Sequence, residues 1–372
     1  MGGRLDPAAP GQHQEKDNAM TEKTPSTYAA LPLQVTCRAV NAAGSTEEAR
    51  AAMLDAVCHC ADLIGGSKRF YSTFAGEEIR LVVLPEYFMT SFPAGESVVE
   101  WQEKACIHPS GPEYEALGRV AQEQALFLSG NAYEIDPHFP ELYFQVSFLI
   151  DPAGDVVLRY RRLISMFAPT PHDVLDAFLD HYGEDALFPV ADTELGRVAC
   201  VASEEILYPE IARALTLRGA EVFCHSSSEV GSPLATPKNI AKQARAWENM
   251  GYIVSANSAG ITGLPFPAQS TDGHSQVVDY KGRLLAEANA GESMNGVATI
   301  DIAGLRRARA LPAMSNPLAR QRLELFSSTY SGCSVYPPNT LLEEGVTRVP
   351  ARDHYTGVQQ AVVESLRERG LI

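Results

Sequence analysis

Three short segments place side chains capable of chemistry at the ends of apolar runs. The first is Val82-Val83-Leu84-Pro85-Glu86-Tyr87. A carboxylate that closes a buried strand is costly unless paired, and burial raises its pKa toward the range of a general base. The second is Tyr160-Arg161-Arg162. Strand alternation puts Tyr160 and Arg162 on one face and Arg161 on the other, so an inward Arg162 can pair with Glu86. The third is Cys200-Val201-Ala202-Ser203-Glu204-Glu205, followed by Tyr208-Pro209-Glu210. Ser203 stands where a strand gives way to a loop before a helix. Such a turn either exposes a nucleophile beside backbone N–H donors or simply uses serine as a cap. Cys200 lies on the same strand but points to the opposite face, and reads as a buried structural thiol.

The elements that must position these residues alternate along the chain. Strands are predicted at Leu31 to Val40, Leu81 to Leu84, Leu126 to Ala132, Arg197 to Ala202, Glu221 to Ser226 and Tyr252 to Asn257. Helices are predicted at Thr46 to Ile64, Gly111 to Ala125, Pro209 to Arg218, Thr236 to Met250 and Thr356 to Arg369, the fourth with Thr236 as N-cap. Asp151-Pro152-Ala153-Gly154-Asp155 and Tyr280-Lys281-Gly282 carry turn chemistry and predict two β-hairpins. This pattern implies an α/β protein with helix-covered sheets rather than one all-parallel sheet. In such folds, sites form at strand ends.

Composition narrows the partners. The 372-residue chain has 30 Lys plus Arg against 46 Asp plus Glu, a net charge of −16. With no long basic tract, nucleic acid is not an expected partner, and a small molecule is. No apolar run is long enough to span a membrane. Seven cysteines are too few for a disulfide scaffold of this length and point to free thiols in a reducing cytoplasm. Cys58-His59-Cys60 has no second ligand pair at a zinc spacing, so no metal site is expected there. Residues 1–30 read as a polar, disordered tail without a secretory signal. Residues 31–310 form the main domain. From Leu311 onward the periodicity weakens, and 311–372 reads as an extension packing on the body or on a neighbouring subunit.

Taken together, the segments resemble the carbon–nitrogen hydrolase (nitrilase) superfamily, with the aliphatic amidase and formamidase branch most similar. The resemblance is carried by Val82 to Glu86, by Asp151 to Val157 leading into Tyr160-Arg161-Arg162, and by Tyr208 to Arg213. It continues through Arg218 to Glu221, Arg245-Ala246-Trp247-Glu248-Asn249, Asn257 to Gly260 and Gly273-His274-Ser275. It implies a four-layer αββα sandwich, hydrolysis of amide or nitrile C–N bonds, no metal or organic cofactor, and a homo-oligomer, a dimer or higher. The family uses Glu as base, Lys as oxyanion stabiliser and Cys as nucleophile.

This sequence departs from that triad. Glu86 holds the Glu position, Arg162 the Lys position and Ser203 the Cys position. The family's second active-site Glu falls near Thr170, with Asp173 the nearest acid. Arg162 keeps the positive charge but cannot relay a proton. A serine hydroxyl is a far weaker acid than a thiol and needs a well-placed base. Two readings follow. One is a divergent amidase-like hydrolase of small amides, with Ser203 attacking, Glu86 as base, and Arg162 with a backbone N–H holding the oxyanion. The other is a catalytically inert protein on the same frame that binds a small, for instance carboxylate-bearing, ligand or partners an active enzyme. Tyr87, Phe144, Glu204 and Tyr208 are the expected substrate-binding residues, with Phe167 and Trp247 as further pocket-wall candidates. Glu204 and Glu205 are candidates for a second base.

Overall fold

The computed structural model describes residues 27–228, 237–271 and 273–372. Its first sheet has six strands in the order β14-β1-β3-β4-β5-β6. These are β1 (Thr27–Pro32), β3 (Ile79–Val83), β4 (Phe127–Asp136), β5 (Phe139–Ile150), β6 (Val156–Arg161) and β14 (Ala298–Asp301). The second, also of six strands, runs β13-β12-β10-β9-β8-β7. It comprises β7 (Ala191–Thr193), β8 (Gly196–Ala202), β9 (Val222–Ser227), β10 (Tyr252–Asn257), β12 (Gln276–Val278) and β13 (Leu284–Glu287). Short strands β2 (Thr36–Arg38) and β11 (Gly260–Thr262) pair with each other. In each sheet the central strands are parallel, β1-β3-β4 and β8-β9-β10, and the flanking pairs are antiparallel.

Helices are α1 (Thr46–Ala75), α2 (Val98–Ala105), α3 (Pro112–Gln124), α4 (Leu175–Tyr182), α5 (Pro209–Leu217), α6 (Pro237–Asn249), α7 (Ile302–Ala310), α8 (Glu324–Ser331) and α9 (His354–Glu368). Alternation along β3 explains the layering. Leu81 and Val83 point between the sheets and join Val198, Cys200, Val222 and Cys224 in one buried cluster. Val82 points the other way, into a cluster with Met53, Val57 and Ile64 of α1, Trp101 of α2 and Leu117 of α3. Helices α5 and α6 cover the outer face of the second sheet through Ile211, Leu215, Ala241 and Ala246. The architecture is the αββα sandwich.

Several boundaries differ from the sequence expectation. The strand predicted from Leu31 to Val40 is broken after Pro32, because Gln34 is fully buried and serves loops of the second sheet. Its Nε2 donates to the carbonyl of Gly291 at 2.7 Å, and its Oε1 accepts from the Ser275 N–H at 2.9 Å. Helix α1 runs past the expected end at Ile64 because Gly65 lets the Gln124 side chain approach and Lys68 donates to the Gln124 carbonyl. Tertiary packing overrides the low propensity of Gly65-Gly66. Thr27 to Ala30, read from the sequence as part of a polar tail, instead belong to β1 between β3 and β14. Residues 1–26, and the predicted N-cap Thr236, lie outside the described residues. Both predicted hairpins are present, as β5–β6 and β12–β13.

The chain beyond Leu311 docks on the body. Asn339 donates its N–H to the His172 carbonyl and Leu341 to that of Asp173, both at 2.9 Å. Leu341 is buried with Phe139, Phe144 and Phe178. No described helix is long and apolar enough to cross a membrane.

Candidate active site

The three sequence-nominated residues follow the C-terminal ends of β3, β6 and β8. Buried strands bring those ends together, and β9 ends beside them at Ser227-Ser228. Glu86 is 1% exposed. Its Oε1 accepts from Gln145 Nε2 at 2.8 Å and from Arg162 Nη1 at 3.3 Å, and its Oε2 accepts from the Ser228 N–H at 3.1 Å. Its own N–H donates to the Ser227 carbonyl at 3.3 Å. A carboxylate has about four lone-pair sites, and these bonds occupy three of them. The Tyr87 hydroxyl lies against this carboxylate, and burial followed by the Glu86 charge pushes its pKa well up.

Arg162 leaves β6 on the same face as Tyr160, as alternation requires, while Arg161 turns away to pair with Asp136 at 2.8 Å. Its guanidinium is a hub. Nε donates to the Ile164 carbonyl at 2.7 Å, Nη1 to Gln145 Oε1 at 2.6 Å and to Glu86, and Nη2 to Glu204. Burial alone lowers its pKa, but Glu86, Tyr87 and Glu204 outweigh burial, so the net shift is upward and the group stays charged. These bonds engage four of its five N–H donors. Arg162 is therefore largely committed to orienting acids rather than left open for a developing oxyanion.

Ser203 follows β8 at a φ of 49°, a left-handed conformation that a residue with a Cβ adopts only when its surroundings impose it. Two groups impose it here. His225 Nε2–H donates to the Ser203 carbonyl at 2.8 Å, while its Nδ1 accepts from the Ser255 hydroxyl at 2.8 Å. Burial, then the Lys242 charge, pulls the His225 pKa well below its ordinary value, so the ring is neutral. Glu205, fully buried, spans from the turn to the end of β6. Its Oε1 accepts from the Leu163 and Ile164 N–H groups at 2.7 and 3.1 Å, and its Oε2 from the Tyr160 hydroxyl at 2.8 Å and the Ala202 N–H at 3.2 Å. Burial pushes its carboxyl up to about 7, although Arg162 and these donors oppose the rise. Arg245 of α6 closes the turn from outside, donating to the Ile206 and Leu207 carbonyls at 3.1 Å each. The Ser203 hydroxyl is approached by Lys238 from the first turn of α6, with Nζ to Oγ 3.4 Å and Nζ to Ser227 Oγ also 3.4 Å. Among the described residues, Glu86 makes no hydrogen bond to Ser203.

The structure thus gathers Glu86, Tyr87, Arg162, Ser203 and Glu204 at one end of the sandwich. Tyr208 lies at the rim of the same turn, 41% exposed. Phe144 is not part of this group. Gln145 faces Glu86, so Phe144 points to the opposite face, where it packs on Phe139 and Phe178. Phe167 and Trp247 are exposed rather than lining an enclosed wall. Asp173 caps its own short helix by accepting from the Thr170 N–H and hydroxyl at 2.9 and 2.8 Å, and it accepts from Thr340 at 2.7 Å. Glu205 is a structural anchor with both oxygens engaged. Cys200 is fully buried, 3.7 Å from Ser129 Oγ.

Gln145, His225 and Lys238 were not nominated by the sequence. Gln145 and His225 interrupt apolar strands, in Phe144-Gln145-Val146 and Cys224-His225-Ser226, and that interruption was a readable signal. Lys238 opens a polar, amphipathic helix and carries no such mark.

Residues 41–310 match the carbon-nitrogen hydrolase family model. Formamidases of Bacillus thuringiensis (strain Al Hakam) and Bacillus anthracis are 27% identical over 226 residues, 60% of this chain and 62% of theirs. The match therefore spans less than two thirds of those relatives. Among solved structures, a carbon-nitrogen hydrolase of Helicobacter pylori superposes with a TM-score of 0.61 at 19% identity, covering 82% of this chain and 98% of that one. A Saccharomyces cerevisiae member of branch 10 of the nitrilase superfamily gives 0.59 at 18% identity over 78% and 97%. A mutant of the amidase from Nesterenkonia sp. AN1, with the acetamide moiety of fluoroacetamide added covalently at its active-site cysteine, gives 0.54 at 20% identity over 82% and 97%. By fold and by the span of the family match, this chain belongs to the carbon–nitrogen hydrolase family.

Proposed function

We propose that the chain is an amidase-like hydrolase of small amides that uses Ser203 as its nucleophile. The observation that carries this reading is the left-handed turn at Ser203, which His225 and Glu205 hold in place at the end of a buried strand. Strain kept at a strand-to-helix turn is a device for presenting a nucleophile. Glu86 is the proton acceptor, and Arg162 with Gln145 orients it. Tyr87, Glu204 and Tyr208 stand where substrate enters. The formamidases and the amidase named above support a small amide as substrate.

The absence of a direct Glu86–Ser203 hydrogen bond favours a second reading, an inert frame that binds a small ligand. Catalytic hydrogen bonds in ligand-free sites are commonly long, so this contact alone does not decide. Intact-protein mass spectrometry after incubation with small amides, nitriles and esters decides. A mass increase on wild type that Ser203→Ala abolishes supports the nucleophile. No adduct on either protein, with ligands still raising the melting temperature, establishes the binder instead.

The same reading includes self-association through α5 and α6, whose Leu217, Ile240 and Trp247 are exposed. Light scattering should report a dimer or higher, and a monomer would count against it.

A further inference from the structure

We propose that the cation acting on the reacting oxygens has moved in this chain from β6 to α6, and that Lys238 is a catalytic residue stabilising negative charge at Ser203. The inference rests on Ser203 as the attacking group. Two observations carry it. Arg162, at the family's Lys position, spends its donors on Ile164, Gln145, Glu86 and Glu204. Lys238 Nζ stands 3.4 Å from Ser203 Oγ and 3.4 Å from Ser227 Oγ. Lys238 and Glu86 also approach the end of β9 together, one at the Ser227 hydroxyl and the other at the Ser228 N–H. Acid and cation therefore share a reference point beside Ser203.

The acylation step balances without a further reactant. The Ser203 O–H bond breaks and its proton passes to a Glu86 carboxylate oxygen. Oγ forms a bond to the amide carbon, and the carbonyl π electrons move onto oxygen. The tetrahedral adduct collapses, the C–N bond breaks, and the leaving nitrogen takes the proton from Glu86. Water then hydrolyses the acyl ester, with Glu86 again accepting and returning a proton. Lys238 takes no part in the proton transfer and acts through its position beside Oγ on the oxygens that become negative. Lysine suits this position because its ammonium is a compact point charge on a flexible stem.

The test separates this inference from the reading beneath it. A thiol is introduced by Ser203→Cys, and its alkylation rate by iodoacetamide is followed against pH, with the modified site located by peptide mass spectrometry. Arg162 and Glu86 face the turn from the ends of β6 and β3, Glu204 and Glu205 belong to the turn itself, and Lys242 and His225 lie on α6 and β9; all are common to the variants compared. If Lys238 acts on this position, adding Lys238→Met raises the midpoint of alkylation by about one unit or more, and Lys238→Arg restores most of it. An unchanged midpoint overturns the proposal. In the wild-type background, Lys238→Met should slow acylation at saturating amide about tenfold or more while leaving KM nearly unchanged. Equal acylation rates overturn the proposal. If wild type forms no adduct, the nucleophile reading fails by itself, and the thiol midpoint still decides whether Lys238 acts on position 203.

Discussion

The Nε2–H of His225 donates to the carbonyl oxygen of Ser203, so the left-handed residue after β8 is tied to the neighbouring strand β9. The bond is 2.8 Å long and fully buried on the histidine side. It converts a local strain into a property of the sheet, since the turn cannot relax without breaking it.

His225→Ala should therefore reduce both stability and reactivity. It leaves the Ser203 carbonyl and the Ser255 hydroxyl without this partner in a buried site, at a cost of about 1–3 kcal/mol in denaturant unfolding. Labelling of Ser203 by a serine-directed electrophile should slow in the folded variant. Unchanged stability and labelling would remove His225 from the account of the turn.

Glu205 makes stability depend on pH. The folded chain holds a proton on this carboxyl up to about 7, whereas the ordinary value is 4.5. Between those limits the folded state binds more protons than the unfolded one. The contribution of Glu205 is therefore complete below 4.5 and is lost as pH rises through about 7. Glu205→Gln carries no titrating proton. Wild-type stability measured relative to that variant should fall by roughly 2–4 kcal/mol across the window. A difference that stays flat with pH contradicts the shift.

Arg162→Lys, although it restores the residue type common in the family, should destabilise this chain. A single ammonium cannot reach the acceptors that the planar guanidinium holds on Ile164, Gln145, Glu86 and Glu204. Arg162→Met should cost more, about 3–5 kcal/mol, because it strands the Glu86 charge. Adding Glu86→Gln to the Met variant should recover part of that loss. Thermal denaturation of the three proteins gives the order.

Around Leu341 the C-terminal extension is held by that buried side chain, by the Asn339 and Leu341 backbone bonds, and by side-chain bonds of Asn339 and Thr340. Leu341→Ala opens the cluster around Phe139, Phe144 and Phe178 and should cost about 2–5 kcal/mol in local or global stability. Limited proteolysis should cut the variant near residue 340 faster than wild type. Identical digestion patterns would show that the docking does not depend on Leu341.

Much of this arrangement was legible in the sequence because it follows from periodicity. Alternation along Tyr160-Arg161-Arg162 was enough to send Arg162 toward Glu86 and Arg161 away, and the ion pairs follow it. The same rule, applied to β5, would have separated Phe144 from Gln145 and removed Phe144 from the pocket. Elements whose positions depend on distant partners were not legible. Gln34 breaks a predicted strand for the sake of loops more than 200 residues away. Strand β14 closes the first sheet beside β1 from the far end of the domain. Lys238 reaches Ser203 only because α6 packs over the turn, a relationship with no local trace.

The Arg162 hub also sets the genetic behaviour of the site. Positions 86, 145, 162 and 204 share one guanidinium, so the effect of changing one depends on which residues occupy the others. A screen that varies these positions singly will score each as intolerant and will miss combinations that fold. Libraries randomised at all four together are the route to other residue sets that this frame accepts.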